Sequence, residues 1–328
     1  MDTIDSKKSP NKIDILTRFG VEFIGTAFIT FTIYFFSTII FVFNSLNTSL
    51  TGVGVLFTVV TTAIAYAAVL GTFGRISNGH FNPAITITSI LIGRSRLIEL
   101  LYIVAQVLGS IFSALVLILI LPHSNSLPIK TWFSSVANGY GSSSMSANLL
   151  KSVNLSFEVT TAIVIEIIAV ILIVSAYIIL TKNNGKYKKN FSSTMGIVYA
   201  LGALITYPIT GVGLNPARST GIAFVITCNM LKFKSFKVFT QTLLESPSSK
   251  LWVFWVAPIF ASAIVGLVIL LGKLIKDYSM NTVANVSDAN SNLRIEELDS
   301  SANNELFYDA KSSDTKDSNT ETNEDKSN

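Results

Sequence analysis

GHFNPAIT at residues 79–86 and GLNPARST at 213–220 decide how this chain folds. Each sets Asn-Pro-Ala at the head of a short apolar segment, about 82–92 and 215–227. At a rise of 1.5 Å per residue these segments reach only about 16 and 20 Å. A bilayer core is about 30 Å thick and needs roughly 20 residues of helix. Asn is a strong N-cap, and Pro suits the first helical position because its missing N–H would be unpaired there anyway. Outward from the two motifs lie six apolar runs long enough to span, at about 19–43, 53–73, 97–121, 157–181, 192–210 and 251–272. The expected fold is an all-α membrane protein of six transmembrane helices and two half-helices.

Composition agrees with that expectation. Half of the 328 residues are hydrophobic and only 13% are charged, against roughly 25% charged in a soluble domain; mean hydropathy is +0.54. The net charge of +4 is unevenly divided. Residues 277–328 hold 12 of the 20 acidic side chains but 4 of the 24 basic ones, which leaves residues 1–276 at +12. That excess sits in loops, so it reads as membrane topology rather than as a nucleic-acid surface. Lys7, Lys8, Lys12, Arg18, Arg94, Arg96, Lys182, Lys186, Lys188, Lys189, Lys273 and Lys276 all fall on one side of a six-span chain. Lys232, Lys234, Lys237 and Lys250 oppose them. The positive-inside rule makes the first side cytoplasmic, with both termini there.

The polar first 18 residues precede a run long enough to span, so no cleavable signal is expected. The tail from Asp277 is too polar to bury a core and reads as disordered. The chain therefore divides into a cytoplasmic N-terminal tail (1–18), a membrane domain (19–276) and an acidic C-terminal tail (277–328). A single cysteine, Cys228, excludes an intrachain disulfide and any Cys-rich metal site.

The membrane domain repeats itself. Glu22 lies in VEFIGTAF within the first run, and Glu166 lies in VIEIIAV within the fourth. Each repeat, about 19–121 and 157–272, holds three spans and one half-helix. Three is odd, so the second repeat crosses the membrane inverted, an arrangement that builds a site near the midplane. The two half-helices then enter from opposite faces, and their positive dipole ends meet there. Asn82 and Asn215 each offer an amide N–H to a passing oxygen, while a cation meets positive potential. The loops leading to them cross at hydrocarbon depth, so their N–H groups need partners. Glu22 and Glu166 suit that task as buried acceptors; the competing reading is a proton relay.

Two Asn-Pro-Ala boxes, each opening a half-length segment in equivalent halves with Glu22 and Glu166 in step, resemble the aquaporin (major intrinsic protein) family over about residues 15–275. The resemblance implies an aquaporin-like inverted 3+3 repeat and a passive pore for water and small neutral solutes. It also implies a homotetramer in the plasma membrane, with no cofactor. It carries the pore motifs onto Asn82, Pro83, Ala84, Asn215, Pro216 and Ala217. The arginine of the family's narrow outer filter falls on Arg218, and the other three filter positions fall by spacing on Thr62, Ala203 and Val212. These depart from the family's water-selective pattern, which has an aromatic at the first position and usually a His at the second. Ser219, Ala223, Phe254 and Trp255 nevertheless match positions typical of water channels rather than glycerol channels. His80 is expected to anchor its loop, and Gln106 to pair with backbone near the pore loops. Gly25, Gly109 and Gly266 are expected to let helices approach closely.

Other classes fit less well. An ion-coupled transporter shares inverted repeats, but no cluster of Asp, Glu or Lys sits mid-span to hold a coupling ion. A non-conducting structural protein has no need of both Asn residues and Arg218. No Ser/His/Asp, Cys/His or paired-carboxylate arrangement points to an enzyme.

Overall fold

A computed structural model of the chain describes residues 12–46, 51–125, 127–134, 136–182, 186–231 and 242–314. Its helices are α1 (Lys12–Leu46), α2 (Thr51–Thr72), α3 (Gly74–Ser77), α4 (Pro83–Leu91), α5 (Leu101–Ile120), α6 (Ile129–Ser134), α7 (Ala147–Lys151), α8 (Val159–Leu180), α9 (Phe191–Thr210), α10 (Pro216–Leu231) and α11 (Val253–Asp314). Six of them are long and apolar enough to cross a membrane. The half-helices expected from the two motifs are α4 and α10. With nine and 16 residues they extend about 14 and 24 Å. The first helix begins at Lys12, within the segment 1–18.

Each half-helix starts where its Asn can cap it. Asn82 sits at φ −156°, ψ 123°, and its side-chain oxygen accepts from the Ala84 N–H at 3.0 Å. Asn215 accepts from the N–H groups of Ala217 at 3.0 Å and Arg218 at 3.3 Å. Pro83 and Pro216 follow at the first helical position.

In the compact unit that runs to Ile269, α1 packs on α5 and α2, α2 on α9, α5 on α10, and α8 on α9. Small residues set the closest crossings. A Cβ on Gly109 would collide with the Phe23 carbonyl of α1, and one on Gly25 would enter the Phe81 ring. Gly266 is not such a site: a Cβ there would meet Leu91 at an ordinary 3.5 Å. One apolar core surrounds the half-helix starts, with Tyr66, Phe81, Ile85, Ile173, Tyr199 and Leu214. A second gathers Tyr34, Leu117, Phe133 and Ile222. Outward, Phe28, Leu119, Ile197 and Phe260 are exposed, an apolar surface suited to lipid rather than water.

The residues from Leu270 onward form a separate unit. Their described backbone is helical as far as Asp314. No Gly or Pro follows Gly272 to interrupt a helix. The described side chains from Lys273 on are exposed, in keeping with their polarity. Lys7, Lys8, Lys232, Lys234 and Lys237, which contribute to the orientation argument, lie outside the described residues.

Candidate functional site

The two half-helix starts meet. The Asn82 amide donates to the Leu214 carbonyl at 3.0 Å, and the Asn215 amide donates to the Phe81 carbonyl at 2.7 Å. Each carbonyl belongs to the residue just before the opposing Asn. Phe81 and Leu214 both adopt left-handed backbone, at φ 45° and 54°, a conformation costing a non-glycine residue roughly 1–3 kcal/mol. The same strained turn, repeated in the two loops, aims each carbonyl at the other repeat. All four residues are buried.

Glu22 and Glu166 support those strained turns. Glu22 Oε1 accepts from the Ser77 hydroxyl at 2.6 Å and the His80 N–H at 3.0 Å. Its Oε2 accepts from the Phe81 N–H at 2.7 Å and Gln106 Nε2 at 2.8 Å. Glu166 accepts from the N–H groups of Gly213 at 3.1 Å and Leu214 at 2.7 Å, and from the Thr210 hydroxyl. The loop donors expected to need partners at hydrocarbon depth therefore end on carboxylates. The expectation for Gln106 is corrected: it donates to the side chains of Glu22 and Thr86, the latter at 3.2 Å, not to backbone. His80 Nδ1 pairs with the Thr86 hydroxyl at 3.1 Å, so His80 is tied through both ring and backbone.

Arg218 lies in the first turn of α10 and is only 3% exposed. Its Nη1 donates to Asn138 Oδ1, which also accepts from the Ser219 hydroxyl at 2.7 Å. Asn138 is itself fixed by donating to the carbonyls of Thr210 at 3.0 Å and Gly211 at 2.8 Å. The guanidinium carbon stands 5.8 Å from the centre of the Tyr34 ring, within cation–π range. Tyr34 OH donates to the Arg218 carbonyl. Arg218 Nε has no partner among the described residues. A cavity of about 370 Å³ lined by Asn138, Ser144, Met145 and Lys250 opens beside this cluster.

Thr62, Ala203 and Val212 are buried like Arg218. The Thr62 hydroxyl donates to the Thr58 carbonyl of its own helix at 2.7 Å, so its proton is already used. Val212 is left-handed at φ 65°, next to left-handed Gly211. Ala203 contributes only a methyl group.

Sequence reasoning missed four residues here. Asn138 sits between helices with no motif to mark it. Tyr34 lies on α1, three turns beyond Glu22. Tyr66 and Tyr199, which accept from the Asn215 and Asn82 amides at 2.9 and 3.0 Å, were open to discovery. Each lies four residues, about one turn, from a filter position on its helix.

Residues 9–269 match the family model described as major intrinsic protein. The chain is 31% identical to an aquaporin Z of Brucella melitensis over 268 residues, 80% of this chain and all of that one. It is 28% identical to an aquaporin Z of Rhodopseudomonas palustris, covering 76% and 91%. Its fold matches the X-ray structure of the aquaglyceroporin from Plasmodium falciparum with a TM-score of 0.57 at 20% identity, over 77% of this chain and 94% of that chain. With two capped half-helices joined at their starts inside six spans, and with this match over nearly the whole helical unit, the chain belongs to the major intrinsic protein family.

Proposed function

We propose that this protein is a passive pore whose main permeant is water. The observation that carries the reading is the reciprocal pair of bonds from Asn82 to Leu214 and from Asn215 to Phe81, which brings two half-helix starts to one point. Positive dipole ends converging there disfavour a cation, and buried Arg218 adds a fixed charge nearby. In channels of this kind, pore diameter, hydrogen-bonding groups and half-helix dipoles together set selectivity. The aquaporin Z name of the relatives supports water as the permeant.

A second reading is an aquaglyceroporin-like pore whose main permeant is glycerol, urea or another small uncharged solute. Thr62 and Ala203 favour it, since they stand where the water-selective pattern has an aromatic and a His, beside Val212 and Arg218. Pro83, Ala84, Pro216 and Ala217 shape the two helix starts, and Glu22, Glu166, His80 and Gln106 hold the loops. The protein works as a homotetramer in the plasma membrane with both termini cytoplasmic, and it requires no cofactor.

Stopped-flow swelling of proteoliposomes under water, glycerol and urea gradients tests both readings. Water flux above that of protein-free vesicles, with slower but measurable glycerol and urea flux, is expected. Exclusion of glycerol and urea overturns the second reading. A saturable flux requiring an ion gradient overturns the passive pore.

A further inference from the structure

Tyr66 on α2 and Tyr199 on α9 lie face to face at the level of the two Asn residues. Their ring centroids are 3.3 Å apart and their planes 6° from parallel. Both are buried, at 2% and 1% exposure. No atom fits between rings at that separation. Each phenol is also tied to one half-helix start: Tyr66 OH accepts from the Asn215 amide at 2.9 Å, and Tyr199 OH accepts from the Asn82 amide at 3.0 Å. Each Asn amide has two N–H bonds. One goes to a phenol, the other to the opposing loop carbonyl, so neither amide retains a donor for a passing solute.

We propose that Tyr66 and Tyr199 form the rate-limiting and size-limiting constriction of the pore, one helical turn inward from Thr62 and Ala203. The inference rests on the reading of the chain as a passive channel. A permeating molecule must replace the phenol oxygens on Asn82 and Asn215, and the rings must part before it reaches either amide. The narrow point of the pore is therefore an aromatic pair bonded to the half-helix starts, while the outer filter positions carry small side chains. Water and glycerol wait on the same ring movement. Glycerol, being larger, depends on it more steeply.

The test compares full-length wild-type protein with Tyr66→Val, Tyr199→Val and the double variant Tyr66→Val/Tyr199→Val in proteoliposomes. Flux is normalised to protein quantity, and folding is followed by size-exclusion profile and thermal midpoint. The double variant is expected to raise water permeability at least tenfold and glycerol permeability by a larger factor, with each single variant between it and the wild type. Tyr66→Phe/Tyr199→Phe, which keeps the rings and removes the phenol hydrogen bonds, those to Asn included, gains twofold to threefold. If the double variant unfolds, the single and Phe variants carry the test through this same order. A wild type as permeable as the folded Val variants overturns the constriction and leaves the channel reading standing. Folded Val variants no more permeable than protein-free vesicles overturn both. Phe variants as fast as the Val variants overturn the claim that ring bulk limits passage.

Discussion

The two half-helix starts share a scaffold and differ in chemistry. Both have an Asn cap, a Pro, a left-handed residue just before the Asn and a buried carboxylate beneath the loop. Around the first start the polar neighbours are Ser77, His80, Thr86 and Gln106, all gathered on or near Glu22. Around the second, Glu166 serves fewer donors, and a buried guanidinium follows directly, tethered by Asn138. The lesson is a division of labour. Inverted duplication supplies a symmetric frame, and the buried guanidinium is placed on one side of it only.

The largest expected effect comes from breaking what the two starts share. A buried donor left without a partner costs about 1–3 kcal/mol. Glu22→Ala orphans two backbone N–H groups and frees Ser77 and Gln106; Glu166→Ala orphans two N–H groups and frees Thr210. Both variants should lose yield and thermal stability in detergent, Glu22→Ala the more. A stable Glu22→Ala channel with altered proton conductance would favour the relay reading over the supporting one.

The next effect sharpens the difference. Arg218→Ala should relax exclusion of small cations and protons by an order of magnitude or more while changing solute size limits little. Asn138→Ala should shift exclusion in the same direction by a few-fold, since it removes the group that holds Arg218 in place. Dye-reported proton and cation entry into proteoliposomes measures both. An Asn138→Ala variant indistinguishable from wild type would mean that the tether does not position the charge.

A smaller effect separates the outer filter from the centre. In the Tyr66→Val/Tyr199→Val background the filter becomes the narrow point. Adding Thr62→Phe and Ala203→His there should reduce glycerol flux several-fold and water flux by less than twofold. Parallel losses of both fluxes would place Thr62 and Ala203 off the permeation path.

The smallest expected effect is none. Deleting 280–328 cuts α11 beyond the compact unit that ends at Ile269, so water permeability per channel should stay unchanged in quantified protein. A loss of per-channel flux would mean that the tail acts on the pore.

Much of this was legible in the sequence because it rests on local rules. Asn82-Pro83 and Asn215-Pro216 mark helix starts by capping chemistry alone, and run length separates spans from half-helices. Glu22 and Glu166 stand out because an intramembrane carboxylate needs a reason. Other features were not legible, because they depend on which side chains tertiary packing brings together. Nothing local to Asn138 says that it meets Arg218, 80 positions away. Nothing local to Gln106 says that it chooses Glu22 over backbone. Tyr66 and Tyr199 read as ordinary aromatic residues of apolar helices until α2 and α9 bring them face to face. In the tail, polarity argues against a buried core but does not forbid a helix where Gly and Pro are absent.

The central claim is a passive, uncharged flux through the point where the two half-helices meet. Its most direct test is osmotic shrinkage of wild-type proteoliposomes across a graded series of osmotic steps, with a trapped pH dye read in the same vesicles. The account predicts water flux above that of protein-free vesicles, linear in the gradient, with no accompanying proton movement. Flux that saturates, or that carries protons in proportion to water, would contradict it.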